Sequence, residues 1–339
     1  MVAAVVIAAA TSSVAGARSQ ANVYTAHALV TDTSDASLVN GWGIVAGPTT
    51  PWWTSNNGTN TSTLYSGSGT KVALTVTVPG GPTGAVFNGN AADFVVSQNG
   101  KSGAARFLFA TEGGMILGWS PTVNGTTAIP GVDRSATGAV YKGLTTVGDR
   151  LYATDFHNGR VDTFDASFAP VSVKFTDARI PKGYAPFGIQ AIGGNLFVTY
   201  ALQDAAKKDD VPGGGFGYVD EFTPAGQLLA RVATGGRKNA PPNAPWGLAQ
   251  APAAFGVFGG DLLIGNFGNG RISAYQDRGG GHWVYKGQLR IGDGHLLAID
   301  GLWGMAFGND SAAGPSTTLY YAAGPGGEQH GAFGTVASG

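Results

Sequence analysis

The sequence predicts an all-β fold, a six-bladed β-propeller with four antiparallel strands per blade, and three observations carry that prediction. A short apolar start built around a glycine recurs six times along the 339 residues. Each start is followed by a second apolar run and then by a strand that ends near an aromatic, the order expected of a propeller blade. The last unit is one strand short, whereas a strand-like run near the N-terminus lacks a hairpin partner, so each supplies what the other needs.

The starts are Trp42-Gly43-Ile44, Thr83-Gly84-Ala85, Lys142-Gly143-Leu144, Phe187-Gly188-Ile189, Trp246-Gly247-Leu248 and Trp303-Gly304-Met305. Their glycines are spaced by 41, 59, 45, 59 and 57 residues, in or somewhat above the roughly 40–50 of propeller blades. Small residues suit this place because six inner strands converge on the axis and bulky side chains would clash. Second runs begin at Trp52, Phe107, Leu151, Leu196, Leu262 and Leu319, and third strands end near Tyr65, Trp119, Phe164, Phe222, Tyr275 and Phe333. Fourth strands read at 72–78, 171–175, 228–232 and 283–289. The lone strand at 22–30 closes the last blade beside 331–337, which makes 22–338 a single domain. No helical period longer than about two turns interrupts the pattern.

Composition agrees with one large β unit. The chain holds 56 glycines and 17 prolines, 12% charged residues and 43% apolar ones, enough to bury a core while turning often. Twenty basic against 21 acidic residues give no electrostatic footprint for nucleic acid, so small molecules, glycans or a protein are the expected partners of a monomer. The absence of cysteine excludes disulfides, thiolate metal sites and a thiol nucleophile. Residues 1–17 combine an apolar run with a small-residue cleavage pattern and read as a secretory signal peptide, which places the mature chain outside the cell or in a periplasm. The first positive residue is Arg18, so the leader lacks its basic region and reads as truncated, misassigned at its start, or an anchor. No other stretch has eighteen consecutive apolar residues, and no membrane span is expected once the leader is removed.

Two near-copies point to where function should be sought. Thr154-Asp155-Phe156-His157-Asn158-Gly159-Arg160 and Gly265-Asn266-Phe267-Gly268-Asn269-Gly270-Arg271 are both strand–turn–strand hairpins, yet only the first carries ionisable groups at the turn. In a propeller, these turns and the junctions between blades emerge on one face, around the mouth of the central channel. Aligning the third-strand aromatics places Asn56, Asp155 and Asn266 at one point, Glu112 and Tyr200 at the corresponding strand ends, and Glu328 and His330 on the matching turn of the last blade. The junction residues Asn40, Tyr184, Asn243, Trp246, Asp300 and Trp303 join them.

Asn56, Glu112, Asp155 and Asn266 offer carboxylate and amide oxygens suited to a divalent cation such as Ca²⁺, and His157 or His330 would tilt the choice to Zn²⁺. Such an ion polarises an ester or lactone carbonyl, with Asp155, Glu112 or His157 as the acid or base on water. The plainer reading is that Asn and Asp at these positions cap turns, while Glu112 and Asp155 face a crowded channel and need a counter-charge or ion. Trp246 and Trp303 either line an aromatic ligand pocket or are packing residues of the repeat. The long insertion at 201–217 reads as a mobile lid over the mouth, with Gln203 and Asp204 at its base, rather than a phosphate cradle, since its glycines lie between no strand and helix. No His-x-His, His-Glu-x-x-His or Gly-x-Ser-x-Gly motif occurs.

These residues resemble the propeller superfamily of NHL-repeat and SMP-30/gluconolactonase-like proteins, the latter metal-dependent lactonases. The runs Asp-Phe-His-Asn-Gly-Arg, Tyr-Ala-Pro-Phe-Gly-Ile, Asn-Ala-Pro-Trp-Gly-Leu and Asp-Gly-Leu-Trp-Gly-Met are more similar still to an uncharacterised secreted bacterial family, some of whose members carry surface-sorting tails. The resemblance covers 22–338, and the lack of such a tail before Gly339 implies release rather than anchoring. Two functions follow as expectations: a small-molecule site at the channel mouth, with metal-assisted lactone or ester hydrolysis, or a non-catalytic propeller that binds a protein or glycan.

Overall fold

Residues 21–339 are described by the computed structural model, and the expected leader at 1–17 lies outside them. The described residues form six four-stranded antiparallel sheets, each in simple up-and-down order from the axis outward. Blade 1 comprises Gly41–Val45, Trp52–Asn56, Thr61–Tyr65 and Lys71–Thr77. Blade 2 comprises Pro82–Phe87, Phe107–Thr111, Met115–Trp119 and Ile129–Asp133, and blade 3 Tyr141–Val147, Arg150–Asp155, Arg160–Phe164 and Pro170–Val171. Blade 4 follows with Tyr184–Ile192, Asn195–Leu202, Tyr218–Phe222 and Leu228–Thr234, and blade 5 with Pro245–Gln250, Leu262–Asn266, Arg271–Asp277 and Trp283–Gln288. Blade 6 takes Leu302–Phe307, Leu319–Ala323 and Ala332–Ser338 from the C-terminus and Tyr24–Thr31 from the N-terminus, with Tyr24 opposite Ser338. The ring is therefore a six-bladed β-propeller closed by the N-terminal strand, which covers Ala332–Ser338 as the outermost strand of blade 6.

The blade glycines act at the axis. A Cβ on Gly43 would meet the Thr83 carbonyl at 2.5 Å, one on Gly143 the Ile189 amide at 2.9 Å, and one on Gly304 the Trp42 carbonyl at 2.5 Å. Gly84, Gly188 and Gly247 press harder still on Leu144, Trp246 and Trp303. Each inner strand thus touches the backbone of the next, and the cavity among them is only about 30 Å³. The expected channel is closed.

Between blades, aromatic and branched residues interdigitate: the Trp53 ring stacks on Phe107 at 4.1 Å and meets Trp119 at 4.7 Å. Burying one such side chain contributes roughly 1.5–3 kcal/mol. Two details depart from the sequence pattern. In blade 6, Val336 rather than Phe333 pairs with Leu319, so Phe333 opens its strand instead of closing it. Blade 2 also carries an unexpected hairpin, Val95–Gln98 with Lys101–Ala104, whose Asn99 and Gly100 both have positive φ (52° and 76°), the geometry of a type I′ turn. That insertion explains why the second spacing is long.

Candidate functional site

Every inner strand has a register irregularity at its glycine: between Gly41 and Ile44, Pro82 and Ala85, Tyr141 and Gly143, Pro186 and Ile189, Pro245 and Leu248, and Leu302 and Met305. Bulges re-aim side chains. The residues just before the glycines, Trp42, Thr83, Lys142, Phe187, Trp246 and Trp303, are all buried. Four of them pack as aromatics: Trp303 lies between Trp42 at 3.6 Å and Phe267 at 3.9 Å, with Trp246 edge-on at 5.8 Å and Phe187 at 5.7 Å.

Lys142 breaks this pattern. Its side chain is 0% exposed, and its Nζ lies 4.8 Å from the Trp42 ring centre. The ammonium donates to Glu112 Oε1 at 2.5 Å and to Asp209 Oδ1 at 3.1 Å, while Asn57 Nδ2 donates to the other Glu112 oxygen at 3.0 Å. Trp246 Nε1 donates to the Lys142 carbonyl at 3.2 Å, fixing the strand from across the axis. Burial pushes the Glu112 carboxyl up, but the Lys142 charge, its hydrogen bond and Asn57 outweigh burial and hold it below the ordinary carboxylate range.

Two more carboxyls face this group. Burial pushes Asp210 up to about 7 against the attraction of Lys142, with Glu328 and Asp209 adding to the rise. Its Oδ2 is buried and has no hydrogen-bond partner among the described residues. Glu328 is also raised, first by burial and then by Glu112 and Asp209, with Lys142 opposing. Its backbone is left-handed, φ 69°, directly after Gly326 and Gly327, both at φ 65°. Asp209 and Asp210 come from the insertion at 201–217. Asp204 Oδ1 accepts from the Lys208 and Asp209 amides at 2.8 and 3.3 Å, and Gln203 bridges to Asp210, so the base of the insertion presents its carboxyls to Lys142.

Of the residues singled out in the sequence, Glu112 and Glu328 join this cluster, Asp204 shapes it, and Gln203 anchors the loop by donating to the Phe156 carbonyl at 2.5 Å. The others lie elsewhere or are already engaged. Asn56 accepts from Thr54 and donates to Thr61 and Thr63. Asn266 accepts from the Asn243 amide and donates to Ile264 and Arg271 carbonyls. Asp155 accepts from the Val140 and Asn158 amides and the Asn158 side chain, and burial raises its carboxyl. Three members of the expected metal quartet, Asn56, Asp155 and Asn266, thus hold their own turns, and the fourth, Glu112, is paired with Lys142. Among the described residues no three His, Asp or Glu side chains form a group able to hold a metal.

His157 is half-buried on its turn. His330 is 60% exposed and bonds Asp32 at 2.8 Å, toward the rim. Trp246 and Trp303 are packed into the axial stack rather than lining an open pocket. Tyr200 is buried between blades 3 and 4, beside Tyr184 and Tyr218. Lys142, Asn57, Asp209 and Asp210 went unrecognised in the sequence. The signal was available, since Lys142 is the one charged residue among the six that precede a blade glycine.

No family model matches the chain. It is 31% identical to the uncharacterized protein R648 of Acanthamoeba polyphaga mimivirus over 80% of this chain and 69% of that one. With the uncharacterized protein L690 of the same virus it shares 31% identity over 85% of this chain and 76% of the other. A third, R640, is 31% identical, and the chain spans only 42% of its length. These relatives are viral and give no support to the bacterial, secreted family that the motifs resemble.

Among solved structures, a streptogramin B lyase superposes with a TM-score of 0.57 at 11% identity, over 93% of this chain and 98% of the other. A catalytically inactive virginiamycin B lyase from Staphylococcus aureus with quinupristin gives 0.52 at 13% identity, over 93% and 98%. A luciferin-regenerating enzyme gives 0.52 at 14%, over 89% and 92%. At these identities they share the fold, and gluconolactonase propellers are among the weaker matches. The chain belongs to the same family of propeller proteins as mimivirus R648 and L690.

Proposed function

We propose that the face over Lys142 is a small-molecule site that opens a lactone or ester by proton transfer. The observation that supports this most is Asp210: a carboxyl brought to about 7, with one oxygen free of partners, beside a buried ammonium. A group with such a pKa is suited to take and return a proton near neutrality. Lys142 supplies the positive charge that a developing oxyanion needs, and its low-dielectric surroundings strengthen that interaction. Asp209 is the exposed partner of the ammonium, at 59%, so outward movement of the 201–217 insertion would free one position on Lys142 for a substrate oxygen. Glu112 stays as the fixed counter-ion.

Ring opening by this machinery has two forms. A base that removes a proton next to the leaving oxygen gives elimination, as the name of the lyase neighbours states for them; a base that acts on water gives hydrolysis. Quinupristin, incubated with the purified protein and followed by mass spectrometry, separates the two. Opened product of unchanged mass marks elimination, and a gain of one water marks hydrolysis. Either activity should fall at least about a hundredfold in Asp210→Asn, the loss expected for a general acid or base. Turnover unaffected by Asp210→Asn would overturn the assignment.

A second reading, non-catalytic binding of a glycan or protein, has one observation in its favour. On the same face Tyr184, Phe216 and Tyr218 wall a largely apolar cleft of about 460 Å³ with Arg237 and Lys238 at its side. Such a cleft suits the flat face of a sugar. Binding of an oligosaccharide that Phe216→Ala abolishes, without turnover of any lactone or ester, would favour it.

A further inference from the structure

Blade 3 has an incomplete outer edge. Its fourth strand pairs only with Thr163 and Phe164, whereas that of blade 5 pairs along Ser273 to Asp277. The cause lies in the next few residues. After Val171 the chain turns inward so that Phe175 can pack edge-on against Tyr152 at 5.9 Å and Phe222 at 5.6 Å, and Val173 joins the same cluster. Burial between blades 3 and 4 thus outweighs continued pairing. Left behind is a cleft of about 450 Å³ between Arg160–Asp162 and the departing segment 172–176, within the roughly 300–1,000 Å³ of ligand clefts.

Backbone parity fixes what this cleft presents. Thr163 stands opposite Val171, and the Asp165 amide donates to the Ala169 carbonyl, so odd-numbered residues of this strand turn their N–H and C=O outward. Val161 therefore directs both groups into the cleft, where the fourth strand has already ended. Charge adds a second constraint. Arg134, Arg160 and Lys174 line the walls with one carboxylate, Asp162, which already accepts from Arg160 Nε at 2.7 Å and from the Tyr141 hydroxyl at 2.8 Å; behind the wall Asp155 also pairs with Arg160 at 3.6 Å, which leaves Arg134 and Lys174 as the cations open to a ligand. Arg134 Nε is buried with no partner among the described residues.

We propose that this cleft binds an extended acidic peptide of a partner protein, which adds antiparallel to Arg160–Asp162, beyond the Thr163–Phe164 pairing, as the missing part of the outer strand of blade 3. Main-chain bonds to Val161 would supply the pairing, and acidic side chains on the peptide would reach Arg134 and Lys174. This site is on the outer rim and does not depend on the chemistry at Lys142.

The test uses fluorescence anisotropy with a labelled peptide of alternating threonine and glutamate and a matched threonine–lysine control. The glutamate peptide should bind and slow hydrogen exchange at the Val161 amide, and the lysine peptide should not. Arg134→Glu with Lys174→Glu should weaken binding at least about tenfold. Unchanged melting of that variant will show that the loss is one of binding. Absence of glutamate-peptide binding overturns the proposal, and the charges then only guard an open edge against aggregation. Binding indifferent to the double variant, or displaced fully by inorganic phosphate, overturns it as well.

Discussion

Blades 3 and 5 are built on nearly the same hairpin, and the places where they diverge are not the ones their sequences advertise. At the turn, Asp155 and Asn266 do the same work: each accepts a hydrogen bond from a junction amide, Val140 or Asn243, and ties the entry of its inner strand. The acid in one and the amide in the other change little. One strand earlier, at the inner-strand bulge, blade 5 has Trp246 in the aromatic stack while blade 3 has Lys142 in a carboxylate cluster. At the outer edge, blade 5 is complete and blade 3 is cut short. A repeated backbone sets where side chains point, and the chemistry depends on which residue occupies the repeated place.

The largest effect should come from removing the charge at the bulge. Lys142→Met keeps most of the volume but leaves Glu112 buried without its counter-charge, and losing one partner of a buried pair costs about 3–5 kcal/mol. Urea unfolding should show that loss, and Lys142→Met with Glu112→Gln should recover much of it. Equal destabilisation in the double variant would mean that packing against Trp42, not charge, is what Lys142 contributes.

At the turn the expected change is small. Asp155→Asn makes blade 3 like blade 5; the acceptor for Val140 survives, the Asn158 amide must flip, and the 3.6 Å pairing with the half-exposed Arg160 is lost. The loss should be about 1 kcal/mol or less below the ordinary carboxylate value of 3.8. Because burial raises the Asp155 carboxyl, the folded state favours its protonated form, and the native protein loses that contribution as pH rises through the raised value. The variant, which cannot ionise there, should therefore approach or overtake the native protein at higher pH. A deficit that grows with pH would contradict this.

The contrast also explains what the sequence made legible. Glycine spacing, strand order and closure by Tyr24–Thr31 could be read because each rests on local patterning: apolar alternation, Asn-Gly turns and a missing strand count. Lys142 was hidden by its setting, since inside an apolar start it looks like one irregular copy and its partners are far along the chain. Glu112 is 30 residues away and Asp209 is 67. Asp209 and Asp210 sit in a run with Lys207 and Lys208 that reads as solvated, and only folding of the insertion over the axis desolvates Asp210. The turn residues stand out for the opposite reason. Asn56, Asp155 and Asn266 are conspicuous because they repeat, and they repeat because every blade needs its turn held.

Whether Asp210 carries a proton beside Lys142 can be read from its side-chain carboxyl carbon, followed by NMR across pH. A proton carrier should show a midpoint about 7, well above the ordinary 3.8, and a further rise in Lys142→Met because the attraction of the ammonium is gone. A midpoint near 4 in the native protein, or one unmoved by Lys142→Met, would contradict that role.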